Sequence, residues 1–352
     1  MDLAVPSTPK QLKSSRDLKL DACIDYANAS FKTPTLKTPE LEPVLKVFRY
    51  NFHRVRHLMI TPAIIGYTAM QFQRHIDVAA LEIEGSLDNT DNLSSLESRP
   101  NVGERVSELH DARLEQDSAM LGTPAWDKFV SENHRLGAIP VNMLARAPFG
   151  SGGFDFLLSS FVIGSWSAFE TMAGDLWERA LNIDPSGLAH LRGNPNRLRK
   201  NGKPAFGGAK TKKDDPQSKS VDLDLIQFHK FDLRNKMGTI LRSRYEFSRL
   251  STIREAYSAA FDTNTAQVDA ALKDDSLDAL SVVRNVLVHK AAIIDQEYAR
   301  RAQGLKSLPK VEIGKLLLLD GEIVVSLIKP ALIQASRLLG AVDEWLHKHK
   351  KP

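Results

Sequence analysis

The chain has 352 residues, of which 42% are hydrophobic and 26% charged, as is ordinary for a soluble globular protein of two or three domains. Its net charge of +4 is too small to favour any class of partner by itself. Cys23 is the only cysteine, which excludes an intrachain disulfide and a cysteine zinc cluster, so we expect a reducing, cytoplasmic setting.

The N-terminal region has no pattern of a targeting or membrane segment. Met1–Leu20 is basic but lacks the apolar core of a secretory signal. The most apolar stretch, residues 315–333, is interrupted by charged side chains, so we expect no membrane span. Residues 1–40 are rich in Pro, Ser, Thr and Lys without a fixed apolar period, and this composition predicts a flexible or loosely docked tail.

Residues 41–150 are predicted to form a helical N-terminal region. A helical period of three or four residues is set by Leu45, Phe48, Phe52, Val55 and Met59. Pro62 should break or kink this run, giving two helices, because proline removes a helical hydrogen bond. Residues 81–120 contain ten acidic and three basic residues, a net charge of −7, and a short helix is predicted over residues 103–120.

The glycine-rich segment Ala147–Gly153 is interpreted as the boundary of a C-terminal helical domain over residues 151–350. Asp320-Gly321 lies between apolar runs and is a hairpin signal, so a small two-stranded ribbon is a further expectation. The fold class predicted is therefore all-α, with at most one small hairpin. The apolar periods predict helices over residues 155–181, 224–229, 235–261, 276–294 and 325–349, the last one kinked near Pro330.

A basic insertion over residues 191–220 interrupts the C-terminal domain. It contains nine Lys or Arg and two Asp, a net charge of +7, which leaves two interpretations open: a solubilising insertion, or a surface that contacts RNA phosphates. Its only aromatic residue is Phe206, so a platform for stacking bases is not indicated. The candidate RNA-binding residues are Arg197, Arg199, Lys200, Lys210, Lys212 and Lys213.

The helix predicted over residues 276–294 contains an Arg-Asn-x-x-x-His motif formed by Arg284, Asn285 and His289. Asn285 and His289 are four residues apart and share the face opposite the apolar stripe. Arg284 lies about 140° around the helix axis from His289, so its side chain must wrap toward that face or meet a motif from a second chain. The bare spacing is a weak signal, because Arg105 and His110 repeat it.

The residues around the motif resemble the HEPN domain family (higher eukaryotes and prokaryotes nucleotide-binding). The run Leu280–His289, followed by Asp295 and Tyr298, is similar to the branch associated with ribonuclease toxins and stress proteins, the RiboL-PSP-HEPN-like branch. Two upstream blocks, Phe161–Glu170 and Phe247–Tyr257, are also similar to the family. The resemblance covers residues 154–346 and leaves the first 150 residues unexplained.

The resemblance implies an all-helical endoribonuclease that needs no metal and no cofactor. In such a protein two motifs face each other across the cleft of a homodimer, and RNA is cleaved by attack of its own hydroxyl on the adjacent phosphate. It assigns proton transfer to His289, stabilisation of the phosphorane charge to Arg284, and orientation of the histidine or of a phosphate oxygen to Asn285. Supporting positions would be Glu170, Asp295 and Tyr298.

A toxin or an antiviral defence effector is the kind of ribonuclease that the resemblance favours, with an antitoxin or regulatory protein as a further partner. No phosphate-binding glycine loop, His-Glu-x-x-His helix or Gly-x-Ser-x-Gly turn indicates other chemistry. The alternative is a non-catalytic HEPN-like helical module that dimerises or binds a nucleotide or a partner protein.

Overall fold

A computed structural model shows that the chain is helical. The regular structure in the described residues consists of helices, which confirms the all-α class. Within those residues, β pairing is limited to one isolated antiparallel bridge between Ile293 and Leu316. The described residues are 18–29, 32–87, 98–120, 150–198, 223–231, 233 and 235–349, with scattered positions between 123 and 143.

The helices are numbered here in chain order. They are α1 (Leu20–Asn28), α2 (Glu42–Glu84), α3 (Pro100–Met120), α4 (Gly150–Ile183), α5 (Pro185–Leu188), α6 (Leu223–Phe228), α7 (Met237–Arg242), α8 (Leu250–Ala260), α9 (Ala266–Lys273), α10 (Asp275–His289), α11 (Gln296–Ala302) and α12 (Gly321–His349), with a 3₁₀ turn at Pro39–Leu41 before α2.

The described residues form two compact units. Unit 1 consists of the described residues within 1–29, 56–158 and 319–322. It contains α1, the C-terminal part of α2, and α3. One side of α1 is buried through Leu20, Cys23, Ile24 and Ala27. The α2 and α3 segments share an apolar cluster of Ile76, Ala79, Val102 and Val106.

Unit 2 takes the described residues within 30–55, 159–318 and 323–352, and it contains the Arg-Asn-x-x-x-His helix, α10. Its core is built on large aromatic side chains that also make hydrogen bonds, as buried Trp and Tyr usually do. The indole of Trp177 donates to the Ala256 carbonyl at 3.0 Å, and the Tyr257 hydroxyl donates to the Ala173 carbonyl at 2.8 Å. These two bonds fix α4 against α8.

The N-terminal end of α10 is held by two polar contacts. Arg254 of α8 is buried and donates to both carboxylate oxygens of Asp278, at 2.8 and 2.7 Å. Asp274 accepts from the Ser276 amide at 2.9 Å and so caps the helix, while its second oxygen accepts from Gln334 of α12 at 2.8 Å. The motif at the other end of α10 is therefore carried on an anchored helix.

Pro62 does not divide the helix in which it lies. α2 runs unbroken from Glu42 to Glu84, so the expected pair of helices is wrong. A proline removes only one helical hydrogen bond, and the packing of a long helix offsets that loss. In the residue before Pro62, the Thr61 hydroxyl donates to the His57 carbonyl at 2.7 Å.

The glycines interpreted as a boundary lie in the first turn of α4, which begins at Gly150. A Cβ added at Gly152 or Gly153 would meet no atom within 4 Å, so this turn is open to solvent rather than packed. The helix predicted over residues 155–181 is confirmed and is longer at both ends.

The expected tail is packed in part where it is described: Leu18, Leu20 and Thr38 are buried, whereas Lys32 and Lys37 are exposed. Beyond α1, the amides of Lys37 and Thr38 each donate to the Asp343 carboxylate at 2.8 Å, which joins this segment to α12. Residues 1–17 lie outside the described residues.

The helix predicted over residues 235–261 is interrupted: α7 ends at Arg242 and α8 begins at Leu250. In the gap, the rings of Tyr245 and Phe247 pack against Trp177 with centroids 5.3 and 5.6 Å apart. Aromatic packing on one core residue therefore overrides the helical period of the sequence.

The expected hairpin at Asp320-Gly321 is not formed, because Gly321 is the first residue of α12. The Gly321 amide donates to the Leu18 carbonyl at 2.8 Å, and a Cβ at this position would lie 2.0 Å from the Lys19 carbonyl oxygen. Glycine is used here for close approach of two backbones rather than for a turn.

Among the described helices, α12 has the length and composition that a membrane span would need. Half of its apolar window is buried inside the protein, which is also the property of a core helix, so this helix is weak evidence for a span.

Candidate functional site

The candidate site lies at the C-terminal end of α10, where the chain passes from core to surface. Leu280, Val283 and Val286 are buried, and they fix the rotation of the helix about its axis. His289, the last helical residue, is exposed to solvent. α10 thus ends five residues before Ile294, the end predicted from the sequence.

The guanidinium of Arg284 joins the three motif residues within one chain. Its Nη1 atom donates to Asn285 Oδ1 at 3.2 Å and lies 3.4 Å from Nε2 of His289. The arginine side chain therefore wraps around the helix toward the Asn285 and His289 face, which is the first of the two arrangements expected from the sequence. Because a guanidinium can only donate, this contact is a hydrogen bond when Nε2 is the unprotonated nitrogen of the imidazole.

Glu170 of α4 lies beside the guanidinium. Its Oε1 is 4.0 Å from Arg284 Nη2, and the two side chains are only 16% and 18% exposed. The same oxygen accepts a hydrogen bond from the Trp166 indole. Burial raises the pKa of Glu170, while the Trp166 hydrogen bond and the Arg284 charge lower it. Burial prevails because an ion pair at this distance compensates weakly for lost hydration.

Arg284 has one polar atom without a partner in the described part of the chain. Its Nε atom is buried and has no hydrogen-bond partner within the described part of the chain. A buried donor without a partner costs on the order of 1–3 kcal/mol. Ser165 Oγ and Ser258 Oγ are likewise buried without a partner among the described residues, so this atom by itself does not mark a functional site.

The backbone turns sharply after His289. Ala291 and Ala292 both have left-handed backbones, with φ of 48° and 64°, which alanine adopts at a cost of about 1–2 kcal/mol per residue. The turn is held because the Leu317 amide donates to the Ala292 carbonyl at 2.7 Å and the Ile294 amide donates to the Lys315 carbonyl at 2.9 Å. This pairing stops α10 at the residue that carries the imidazole.

Asp295 and Tyr298, two of the predicted supporting residues, fix the chain after this turn. Asp295 caps α11 by accepting from the Tyr298 amide at 2.8 Å. The Tyr298 hydroxyl donates to the Pro309 carbonyl at 3.1 Å, and burial raises the pKa of Tyr298 to about 12. These contacts are those of a helix cap and a buried anchor, and Asp295 also forms an ion pair with Lys290 at 3.5 Å.

Of the six basic residues predicted to bind RNA, Arg197 is described, and its guanidinium contacts other residues of the same chain. It pairs with Asp269 at 3.0 Å and donates to the Phe261 carbonyl at 2.5 Å, so we do not retain it as an RNA contact. Outside the described residues lie Arg199, Lys200, Lys210, Lys212 and Lys213.

Trp166 is the residue of this site that sequence reasoning did not single out. It lies four residues before Glu170, the helical spacing at which two side chains meet on one face, and this spacing was visible in the sequence. The described residues contain no group of three or more His, Cys, Asp or Glu side chains arranged to hold a metal ion.

Comparison of the chain with protein-family models, with curated proteins and with solved structures gives no match. The resemblance to HEPN domains therefore depends on the motif and its flanking residues alone.

Proposed function

We propose that the chain is a metal-independent endoribonuclease of HEPN type whose site is Arg284, Asn285 and His289. The observation that carries the proposal is the 3.4 Å approach of Arg284 Nη1 to His289 Nε2 at an exposed helix end. A fixed cation and an imidazole are the two groups that cleavage of RNA by its own hydroxyl requires.

In the proposed reaction the 2′-hydroxyl of a ribose attacks the adjacent phosphorus, and the bond from phosphorus to the 5′-oxygen of the next nucleotide breaks. The products are a 2′,3′-cyclic phosphate and a 5′-hydroxyl. One proton leaves the 2′-oxygen and one is delivered to the 5′-oxygen. His289 serves one of these transfers, and the histidine of a second copy in a homodimer would serve the other.

The remaining groups act on charge and geometry. Arg284 neutralises the negative charge that builds up on the phosphorane oxygens. Asn285 holds one guanidinium nitrogen through its carbonyl oxygen, at 3.2 Å, and so keeps the cation on the histidine side of the helix. Glu170 is a positioning residue, because it lies against the other terminal nitrogen.

The decisive experiment is cleavage of a labelled RNA in the presence of EDTA by the wild type, Arg284→Ala and His289→Ala. We expect activity in the wild type alone, with cyclic phosphate ends on the products. Equal activity in the three proteins would refute the site, and loss of wild-type activity on adding EDTA would refute the metal-free mechanism.

A non-catalytic module for dimerisation or partner binding is the second candidate, and exposed apolar residues beside the motif favour it. Val288, Ile293 and Leu316 are each 43–54% exposed, and the last two are paired across the antiparallel bridge. Sedimentation at micromolar concentration separates the candidates in part. A dimer without RNA cleavage supports the module, whereas a monomer contradicts both this candidate's dimer and the shared cleft of the nuclease.

A further inference from the structure

Residues 315–318 form a short extended segment that pairs with the turn after the candidate site. Leu316 and Leu318 are 54% and 51% exposed, whereas Leu317 between them is buried, and this alternation is typical of a strand. Leu316 forms the isolated antiparallel bridge with Ile293, which is 47% exposed, and bridged residues project to the same face. Three apolar side chains therefore face solvent together at this bridge.

The hydrogen bonds of this bridge use one edge of the segment. The Leu317 amide donates to the Ala292 carbonyl at 2.7 Å, and the Lys315 carbonyl accepts from the Ile294 amide at 2.9 Å. Because these two bonds lie on either side of the bridge, the N–H and C=O groups of Leu316 point away from it, as in the non-hydrogen-bonded pairs of an antiparallel ladder.

The opposite edge is free in the described part of the chain. Leu318 is two residues beyond Leu316, so its backbone groups point to the same edge. Neither residue makes a backbone hydrogen bond to another described residue. Charged side chains, proline or a bulge usually protect a free edge, whereas exposed leucines add an apolar surface to the unpaired backbone groups. Both properties fit a second strand laid along this edge.

The edge is complementary to a second copy of itself. In a two-fold pair of antiparallel strands centred on Leu317, Leu316 lies opposite Leu318 of the partner subunit, and the same contact occurs twice. Each of these two pairs joins residues whose N–H and C=O groups point toward each other, so each can form two backbone hydrogen bonds. The exposed leucine side chains of the two copies then pack against each other on one face.

We propose that two copies of this chain pair through the Leu316–Leu318 edge as antiparallel strands. The choice of a second copy over another protein depends on this self-complementarity, and it rests on the proposed nuclease function, which takes a second histidine. His289 is four residues before Ile293, so their Cα atoms lie within about 14 Å of each other. The edge therefore brings the second copy to the end of α10 that carries the candidate site.

The test is the dissociation constant of the dimer, measured for the full chain by sedimentation velocity over a range of concentrations. Leu316→Lys and Leu318→Lys should each weaken the dimer by about 100-fold or more, because each change removes an apolar contact twice in a symmetric dimer. Leu223→Lys, the same change at a residue 64% exposed on α6, should leave the constant unchanged. A monomeric wild type, an unchanged constant in both edge variants, or an equal loss in Leu223→Lys would overturn the proposal.

Hydrogen exchange at single-residue resolution tests the strand pairing itself. At roughly 100 times the dissociation constant, the Leu316 and Leu318 amides should exchange about tenfold more slowly than in the dilute monomer, because pairing gives them acceptors. The Leu317 amide already donates to Ala292 and should be protected at both concentrations. A dimer in which the Leu316 and Leu318 amides are no better protected would mean that the leucines adhere without strand pairing, which contradicts the proposal.

The outcomes also separate this proposal from the proposed function. A wild-type dimer that is lost in the edge variants, with no RNA cleavage by the wild type, refutes the nuclease and supports the edge. RNA cleavage through Arg284 and His289, with unchanged dimerisation in the edge variants, refutes the edge alone. If both proposals hold, Leu316→Lys should lose RNA cleavage at a concentration at which the wild type is a dimer.

Discussion

The chain contains an arginine followed five residues later by a histidine in two helices, and the two regions use this spacing differently. In α10 the Arg284 guanidinium lies 3.4 Å from His289. In α3 the Arg105 guanidinium pairs with Glu82 of α2 and Glu108 of its own helix, both at 2.8 Å. Arg105 is thus paired with carboxylates of the acidic region and not with His110.

The histidines differ as well. His289 is exposed at a helix end, whereas the His110 ring meets the rings of Phe72 and His75, each with centroids 5.9 Å away. The spacing alone therefore defines no site. The neighbouring charges decide which partner the arginine takes, and those charges, a net −7 over residues 81–120, are readable from the sequence.

The largest expected difference between the regions is in RNA cleavage. His289→Ala should reduce the rate by about 100-fold or more, the usual effect of losing an acid–base group. His110→Ala, the matched change in α3, should leave the rate unchanged. The measurement is the initial rate of cleavage of one labelled RNA by both variants in parallel. A similar loss of rate in His110→Ala would contradict the assignment of the site to α10 rather than α3.

The next effect concerns how firmly each helix is anchored. Arg254→Ala should destabilise unit 2 by about 3–5 kcal/mol, because it leaves Asp278 at the start of α10 without its buried partner. Arg105→Ala removes solvent-exposed ion pairs and should leave unfolding unchanged. Urea unfolding followed by circular dichroism compares the two, and equal midpoints would show that the Arg254 contact does not stabilise α10.

Several features of the fold follow from sequence patterns. The apolar stripe of α10 places Leu277, Leu280 and Val283 in the core, as the helical period predicts. The long helix α4 and the helix α3 were also predicted from apolar spacing and from bracketing turn residues. Strong local periodicity determines these elements, and tertiary contacts only adjust their ends.

Other features depend on long-range contacts that local patterns do not show. α10 stops at His289 because Ala292 pairs with Leu317, and nothing in a run of alanines predicts a left-handed turn. Gly321 follows an aspartate as in a hairpin turn, yet its contact with Lys19 makes it a helix start. The position of Glu170 beside Arg284 likewise depends on how α4 packs in unit 2.

Glu170→Gln should give a smaller effect, on the pH dependence of the folding stability. Burial is the main cause of the raised pKa of Glu170, so the folded state holds its proton more tightly than the unfolded state does. The stability of the wild type relative to Glu170→Gln should therefore be greatest below the ordinary glutamate pKa and fall as the pH rises through the raised value. Urea midpoints of both proteins between pH 4 and pH 7 measure this difference.

The Trp166 indole provides a direct readout of the same titration, because it donates to Glu170. Its indole proton resonance, assigned by loss in Trp166→Phe, should shift with a midpoint above the ordinary glutamate pKa and should not shift in Glu170→Gln. A midpoint at or below that pKa would mean that the Trp166 hydrogen bond and the Arg284 charge, and not burial, dominate the environment of Glu170.

The smallest expected effect is on the α3 side of the comparison. The pKa of His75 is lowered, first by burial and then by the charges of His110, Arg113 and Arg74. A histidine with a lowered folded-state pKa contributes stability above its unfolded-state pKa and loses it as the pH falls through the folded-state value. Unit 1 should therefore loosen between about pH 7 and pH 5, near the ordinary histidine pKa.

Hydrogen exchange of α2 and α3 peptides should rise over this range in the wild type. His75→Phe keeps a ring and should flatten the response, and His289→Gln, in the other unit, should leave it unchanged. An unaltered response in His75→Phe would assign the pH dependence to another group.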